Sequence, residues 1–107
     1  MELKTIKKIG VLTSGGDSPG MNAAIRAAVR AGFYYDIEMY GIYRGYEGMI
    51  NNDIKKLDSG HIAHVLERGG TFLKSARSAD FRTVEGRQKA YENLKSHGID
   101  ALVVIGG

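Results

Sequence analysis

The sequence contains no cysteine, no tryptophan and only one proline in 107 residues. Without cysteine, disulfide bonds and thiolate metal sites are excluded, and a reducing compartment is compatible with the chain. The three histidines, His61, His64 and His97, are too scattered to indicate a zinc site, so we interpret them as surface or helix-capping residues. The single proline and the absence of low-complexity runs indicate a folded chain without linkers.

Long hydrophobic runs and a strong charge imbalance are also missing. No apolar run approaches the roughly 20 residues of a membrane-spanning helix, and residues 1–8 lack the apolar core of a signal peptide. The 15 basic and 12 acidic residues give a net charge of only +3 and form no basic stripe of the kind found in nucleic-acid-binding proteins. We therefore expect a cytoplasmic protein that binds neither membranes nor nucleic acids, and whose mild positive charge suits an anionic small molecule.

Glycine is abundant, and the most informative stretch is KKIGVLTSGGDSPG, residues 7–20. Its apolar first half is typical of a buried strand. A Gly-Gly-Asp turn follows at residues 15–17, and Ser18 and Pro19 then supply an N-cap and a first helical position. Adjacent glycines allow a ligand to approach the backbone, and the unpaired N–H groups of the turn and helix start favour an anion. The stretch predicts a phosphate site, with a ligand-free strand-to-helix connection as the alternative.

Hydrophobic periodicity and capping residues predict the remaining elements. We expect a helix continuing to about residue 33, a strand at 37–43, a loop at 44–48, a loop with a weak edge strand at 50–57, a short helix at 59–67, and a helix at 84–97 capped by Thr83 and ended by Gly98. The apolar run at residues 101–105 predicts a central parallel strand. Strands alternating with helices indicate an α/β fold with a doubly wound, Rossmann-like, mostly parallel sheet that is incomplete as given.

Several side chains are candidates for ligand binding on spacing alone. Arg26 and Arg30 share one helix face, where two guanidinium groups would hold a second phosphate or simply face solvent. Tyr46 follows the second predicted strand and would stack on a ring or cover the sheet. A later glycine-containing segment offers a phosphate clamp, although loop cations are more often only solvated: Arg68, Lys74 and Arg77.

Four sequence blocks resemble the amino-terminal part of bacterial ATP-dependent 6-phosphofructokinases. They are IGVLTSGGDSPGMNAAIR at 9–26, YGIYRGYEGMI at 40–50, ERGGTFLKSAR at 67–77 and HGIDALVVIGG at 97–107. The resemblance implies that residues 1–107 form the amino-terminal part of the ATP-binding α/β domain, with the remainder of the enzyme absent. It also implies transfer of the γ-phosphoryl group of ATP to the 1-hydroxyl of fructose 6-phosphate, as an allosteric glycolytic step catalysed by a cytoplasmic homotetramer.

Matched position by position, the resemblance implies two binding sites. In the ATP site, Gly16 contributes a backbone contact, Tyr46 lines the nucleotide pocket, Arg77 and Ser78 lie beside the phosphates, and Gly107 opens a further glycine loop. The site for ADP or another phosphorylated effector would comprise Arg26, Arg30, Ser59 and His64. Three of these positions depart from common family residues: Ser59 and His64 replace an arginine and an acidic residue, and Ser78 replaces a cysteine or an aromatic residue.

The resemblance places no catalytic residue and no metal ligand within the chain. The aspartate that binds Mg²⁺ in the family directly follows the position of Gly107, and the catalytic base lies further on. A glycine cradle and an arginine are nevertheless the parts expected in a reaction that depends on positioning and charge stabilisation. We therefore expect the 107-residue chain alone neither to phosphorylate fructose 6-phosphate nor to bind ATP tightly.

Three alternative functions remain open at this point. A pyrophosphate-dependent phosphofructokinase would differ after the Mg²⁺-binding aspartate. A non-catalytic nucleotide-binding regulatory module would retain the glycine turn and the paired arginines. An ATP pyrophosphatase-like enzyme would contain a similar Ser-Gly-Gly loop, but the spacer that this class has before the aspartate is missing at Asp17.

Overall fold

The computed structural model describes residues 6–14, 20–58, 60, 73 and 82–106. Within these residues the chain forms the following elements in order: β1 (Lys8–Ser14), α1 (Met21–Tyr34), β2 (Glu38–Ile42), α2 (Gly45–Ile50), β3 (Ile54–Lys56), α3 (Val84–Ser96) and β4 (Ala101–Gly106). None of the described helices has both the length and the apolar character needed to span a bilayer. The short helix predicted at 59–67 lies outside the described residues.

The four strands form one sheet in the order β3-β2-β1-β4. β2 and β4 both run parallel to β1, whereas β3 pairs with β2 in the antiparallel direction. The parallel β1–β2 pair is connected through α1, as a βαβ unit requires. The predicted mostly parallel sheet and the weak edge strand before residue 57 are both confirmed.

Helices cover both faces of this sheet because successive strand residues point to opposite sides. On one face, Val11 packs with Ile25 and Val29 of α1 in the first core cluster. On the other face, Leu12 belongs to a second cluster with Met49 of α2 and Ala90 of α3. Fully burying an aliphatic side chain contributes roughly 1.5–3 kcal/mol, so both clusters stabilise the sheet. This arrangement confirms the doubly wound, Rossmann-like architecture.

Helix α1 begins later than the sequence pattern predicts. Ser18 is not its N-cap: that position is Gly20, which has φ +97° and makes no side-chain capping hydrogen bond. The first helical bond runs from Ala24 N to Gly20 O, at 2.9 Å. Glycine adopts the left-handed conformation with little steric cost, so the backbone turns at Gly20 and the helix follows it.

Residues 44–48 were predicted to form a loop, and this prediction is wrong. The segment opens helix α2, whose Met49 is buried in the second core and whose Tyr46 packs against that cluster. Gly48 lies so close to the Tyr43 carbonyl that a Cβ atom would overlap the carbonyl oxygen. Glycine therefore allows the short helix to pack against the end of β2, and tertiary packing overrides the local turn signal.

Strand β4 occurs where it was predicted and runs parallel to β1, but among the described strands it lies at an edge rather than in the centre. Val103 and Ile105 pack against the first core, whereas Leu102 and Val104 are 39% and 49% exposed. Uniform apolar composition shows that both faces of a strand are suited to burial. The composition of a strand does not determine which strands lie next to it in the sheet.

Candidate nucleotide site

The carboxyl ends of β1 and β4 lie side by side, where Ser14 is the register partner of Gly106. In the sequence, the glycine turn follows β1 and Gly107 follows β4. The carboxyl edge of a parallel sheet is where doubly wound proteins bind ligands. Gly16 and Gly107 themselves lie outside the described residues, but the two strands that precede them end at the same edge.

The approach of these strands requires glycine at position 106. Gly106 has φ +143°, and a Cβ atom built there would overlap the carbonyl oxygen of Ser14. Both the backbone conformation and the available space therefore exclude a side chain. The edge consequently exposes backbone rather than side-chain atoms at this point.

Arg44 connects the carboxyl end of β2 to a segment that is distant in sequence. It adopts the left-handed conformation, with φ 65° and ψ 33°, as the N-cap of α2. Its backbone N–H donates a 2.8 Å hydrogen bond to the carbonyl of Leu73, a fully buried residue of the first core. The predicted ATP-site residues Arg77 and Ser78 follow Leu73 within five positions in the sequence but lie outside the described residues.

Tyr46, which the sequence predicts to line the nucleotide site, lies in the first turn of α2 and is half-buried. Its ring packs against the second core, which includes Leu12 of β1 and Ile42 of β2. Helix α2 begins directly beyond the carboxyl end of β2, so the predicted aromatic side chain lies at the sheet edge expected for a ligand.

Tyr43, at the same end of β2, is held in its neutral form. Burial, followed by the negative charge of Asp53, raises the pKa of its phenol above the usual value of 10.0. The ammonium group of Lys55 lies 5.5 Å from the centre of the Tyr43 ring, within the range of a cation–π contact. The backbone is fixed as well, because Tyr43 N donates to Asp53 O at 3.0 Å.

The predicted effector arginines lie together on the exposed side of α1. Arg26 and Arg30 line a shallow depression of about 450 Å³ with Asn22, Ala23 and Ala27. Neither guanidinium group forms an ion pair within the part of the chain that the structure describes. Two cations on one exposed helix face are suited to a phosphorylated ligand. Ser59 and His64, the other predicted effector residues, lie outside the described residues.

A separate groove of about 570 Å³ lies between the carboxyl-terminal half of α3 and the start of β4. Its lining includes Tyr91, Leu94 and Leu102. Because this groove adjoins the amino end of β4, it lies at the opposite end of the strand from the candidate nucleotide site. No predicted site residue lines it.

The described residues include no group of three or more histidine, aspartate or glutamate side chains arranged as metal ligands.

Two contacts that hold the ends of helix α2 were not predicted from the sequence. One is the hydrogen bond from Arg44 N to Leu73 O. The other is made by Asn93 of α3, whose side-chain amide donates to the carbonyls of Met49 and Ile50. The partners are separated by 43 and 44 residues in the second case. No local pattern signals such contacts.

Comparison with known proteins identifies one family. The family model described as phosphofructokinase matches residues 8–107. The ATP-dependent 6-phosphofructokinase of Bacillus pumilus is 61% identical over 102 residues, which is 95% of this chain and 32% of the relative. The enzyme of the same name from Staphylococcus carnosus is 63% identical over the same proportions.

A solved structure gives the same result for the fold. The phosphofructokinase of Saccharomyces cerevisiae superimposes with a TM-score of 0.88 and 51% sequence identity, over 94% of this chain and 14% of that chain. The chain thus spans about a third of the length of the curated bacterial relatives that it matches. Its fold, the four sequence blocks and these similarities together establish that the chain belongs to the phosphofructokinase family.

Proposed function

We propose that the chain is the amino-terminal third of an ATP-dependent 6-phosphofructokinase, which transfers a phosphoryl group from ATP to the 1-hydroxyl of fructose 6-phosphate. The observation that carries this proposal is the convergence of β1, β4 and α2 at one sheet edge. Each of these elements leads into or contains a residue that the family resemblance assigns to ATP binding. The high identity to relatives named ATP-dependent 6-phosphofructokinases supports the choice of donor.

The proposed ATP site uses backbone and side-chain groups in different roles. Gly16 offers a backbone N–H group to a phosphate oxygen, and Gly107 continues the glycine-lined edge. Tyr46 packs against the adenosine part of the nucleotide. Arg77 and Ser78 donate hydrogen bonds to the phosphates, where a charge-assisted bond stabilises the charge that moves during transfer.

Magnesium belongs to the proposed reaction, but the described residues contain no group of three or more histidine, aspartate or glutamate side chains that could hold it. When bound, Mg²⁺ would neutralise part of the charge of the phosphates. The resemblance assigns its aspartate ligand to the position after Gly107, so we assign no ligand to this chain. The contribution of the chain is to bind and orient the nucleotide.

The proposal includes an effector site and an assembly state. Arg26 and Arg30, with Ser59 and His64, would bind ADP or another phosphorylated effector. The complete enzyme would be a cytoplasmic homotetramer. The exposed depression that the two arginines line on α1 supports the effector assignment.

A chimaera tests the proposed function directly. The chain would replace the matched region of the Bacillus subtilis relative, which is 60% identical over 102 residues. We expect fructose 6-phosphate to be phosphorylated with ATP in a coupled assay, and the 107-residue chain alone to be inactive. A folded chimaera that binds ADP without turnover would support a regulatory module instead.

A further inference from the structure

The end of helix α2 is unusual because a side chain from another helix supplies half of its hydrogen bonds. The last four carbonyls of any helix lack partners within the helix. In α2, Asn51 N donates to Glu47 O at 3.0 Å, and Asp53 N donates to Gly48 O at 2.8 Å. The following backbone thus accounts for two of the four carbonyls.

The other two carbonyls, those of Met49 and Ile50, both accept from the side-chain amide of Asn93 on α3. The distances from Asn93 Nδ2 are 2.7 Å and 3.0 Å, and both bonds are partly buried. A primary amide nitrogen has two hydrogens, so one side chain satisfies both acceptors. Asn93 therefore completes the carboxyl end of α2 and fixes it to α3.

A second contact from the same region of α3 reaches the turn after α2. The ring nitrogen Nε2 of His97 lies 2.8 Å from Oδ1 of Asn52. Asn52 has φ +59°, a conformation that asparagine tolerates in tight turns. Two side chains one helical turn apart, Asn93 of α3 and His97 at its C-cap, thus hold the end of α2 and the turn that follows it.

The opposite end of α2 carries the candidate nucleotide residue. Tyr46 lies only three positions before Met49, so a helix of six residues transmits any shift at its carboxyl end to the tyrosine. Helix α2 is tightly packed against the end of β2, because Gly48 contacts the Tyr43 carbonyl without room for a Cβ atom. The position of Tyr46 is therefore determined by contacts that include those of Asn93.

We propose that Asn93 is a positioning residue for ATP: through its two hydrogen bonds to α2 it fixes Tyr46 at the nucleotide site without touching the nucleotide. The inference rests on the proposed function, because it assigns Tyr46 to the ATP site. The relevant feature is the paired donor geometry of a neutral amide. A leucine of similar size retains the packing but donates nothing, and an aspartate turns negative oxygens toward two carbonyl oxygens.

The test uses the active chimaera with Asn93→Leu, Asn93→Asp and Asn93→Gln. We expect the first two variants to raise the KM for ATP at least about fivefold, because small displacements of a positioning group are costly. The KM for fructose 6-phosphate should stay within error. Asn93→Gln, which keeps the amide, should recover part of the ATP affinity.

The matched control is Gln88→Leu on the same helix. Gln88 also carries an amide, but this residue is exposed and its Nε2 donates to Glu92 Oε1 at 3.3 Å on the surface. This substitution should leave both KM values unchanged. Hydrogen exchange at the amides of Gly48 and Asn51 should accelerate in Asn93→Leu and not in Gln88→Leu.

The outcomes separate this inference from the proposed function. If the unsubstituted chimaera is folded but inactive with ATP, the proposed function fails. If it is active and Asn93→Leu changes neither KM, or raises both equally, the positioning role is refuted and the proposed function stands. A loss of thermal stability with an unchanged KM for ATP would also refute it, because it would leave Asn93 a purely structural role.

Discussion

Gly48 packs directly against the carbonyl group of Tyr43, and a Cβ atom on the glycine would overlap that oxygen. Since Gly48 lies within a helix, its backbone conformation is available to any residue. We predict that Gly48→Ala lowers the free energy of unfolding by about 1–3 kcal/mol, because the helix must move away from β2. Urea unfolding of the chain measures this change.

Three other glycines provide controls for that measurement. Gly60→Ala should change stability by less than about 0.5 kcal/mol, because among the described residues the atom nearest to a Cβ built there is Asp58 Oδ1, at 3.6 Å. Gly20→Ala meets no atom of the described residues within 4 Å but requires φ +97°, and should cost about 1–2 kcal/mol. Gly106→Ala combines backbone strain with overlap and should cost the most. Equal effects at all four positions would contradict the steric explanation.

A second prediction concerns the ion pairs of Glu38 on β2. Lys56 Nζ lies 2.7 Å from its carboxylate and Lys8 Nζ lies 3.7 Å away. The hydrogen bond from Lys56 is the main cause of the lowered pKa of Glu38, and Glu38 in turn raises the pKa of Lys56. The unfolded chain therefore binds a proton on Glu38 more readily than the folded chain does.

The sign of the pH dependence follows from these two directions. The stability that Glu38 contributes to the folded chain is present at neutral pH and is lost as the pH falls through the folded-state pKa of Glu38. The stability that Lys56 contributes is lost as the pH rises through the folded-state pKa of Lys56. We expect Glu38→Gln to destabilise the chain slightly at pH 7 and to converge with the unsubstituted chain in acid. Thermal unfolding from pH 2 to 8 at low salt checks this, with Glu92→Gln as control. A constant difference across that range would contradict the linkage.

Thr83 provides a local prediction for α3. Its hydroxyl oxygen accepts a 2.9 Å hydrogen bond from Gly86 N, as an N-cap residue does. Thr83→Ala should cost about 1 kcal/mol of unfolding free energy, whereas Thr83→Ser should cost little because it retains the acceptor. Urea unfolding compares the two variants, and equal losses would argue against the cap.

Tyr46 should affect ATP binding through its ring. In the chimaera, we predict that Tyr46→Ala raises the KM for ATP about tenfold, because the ring loses the binding free energy of stacking on the base. Tyr46→Phe keeps the ring and should have little effect. The KM for fructose 6-phosphate should not change. Tyr91→Ala, which removes an exposed ring from α3, is the control. An unchanged KM for ATP in Tyr46→Ala would show that Tyr46 does not contribute to ATP binding.

The two arginines of α1 should determine effector affinity. We predict that Arg26→Ala and Arg30→Ala each weaken ADP binding to the effector site about tenfold or more, since a charge-assisted hydrogen bond contributes about 1.5–3 kcal/mol. Calorimetry with ADP on the chimaera measures the loss. Arg87→Ala removes a charge from another helix and should leave effector binding intact. A similar loss in all three variants would indicate only a general effect of charge.

Much of the fold follows from periodicity and capping in the sequence. The β-branched run before Thr13 predicts β1, the spacing of Ile25 and Val29 predicts α1, and Thr83 predicts the start of α3. These signals succeed because they depend on neighbours within one helical turn or one strand. The N-cap of α1 was misplaced because Ser18 offers a stronger side-chain signal than Gly20, although only glycine adopts the observed backbone conformation cheaply.

The candidate site was predictable where it depends on residue type and chain order. Tyr46, Arg26 and Arg30 were proposed as binding residues from the sequence, and the structure places the tyrosine at the sheet edge and the arginines on α1. The arrangement of α2 was not predictable, because Asn93 and Leu73 reach it from distant parts of the chain. Gln88 and Asn93 both carry amides on α3, and nothing in their local sequence distinguishes their contacts.

The sequence by itself determined the four strands, helices α1 and α3, and the family to which the chain belongs, because these depend on local patterns and on matched residues. The tertiary structure decided that β4 pairs with β1 and that Ser14 meets Gly106. It also decided that residues 45–50 form a helix held by Asn93. Such contacts depend on packing between segments far apart in the chain, where burial and hydrogen-bond satisfaction outweigh local preference.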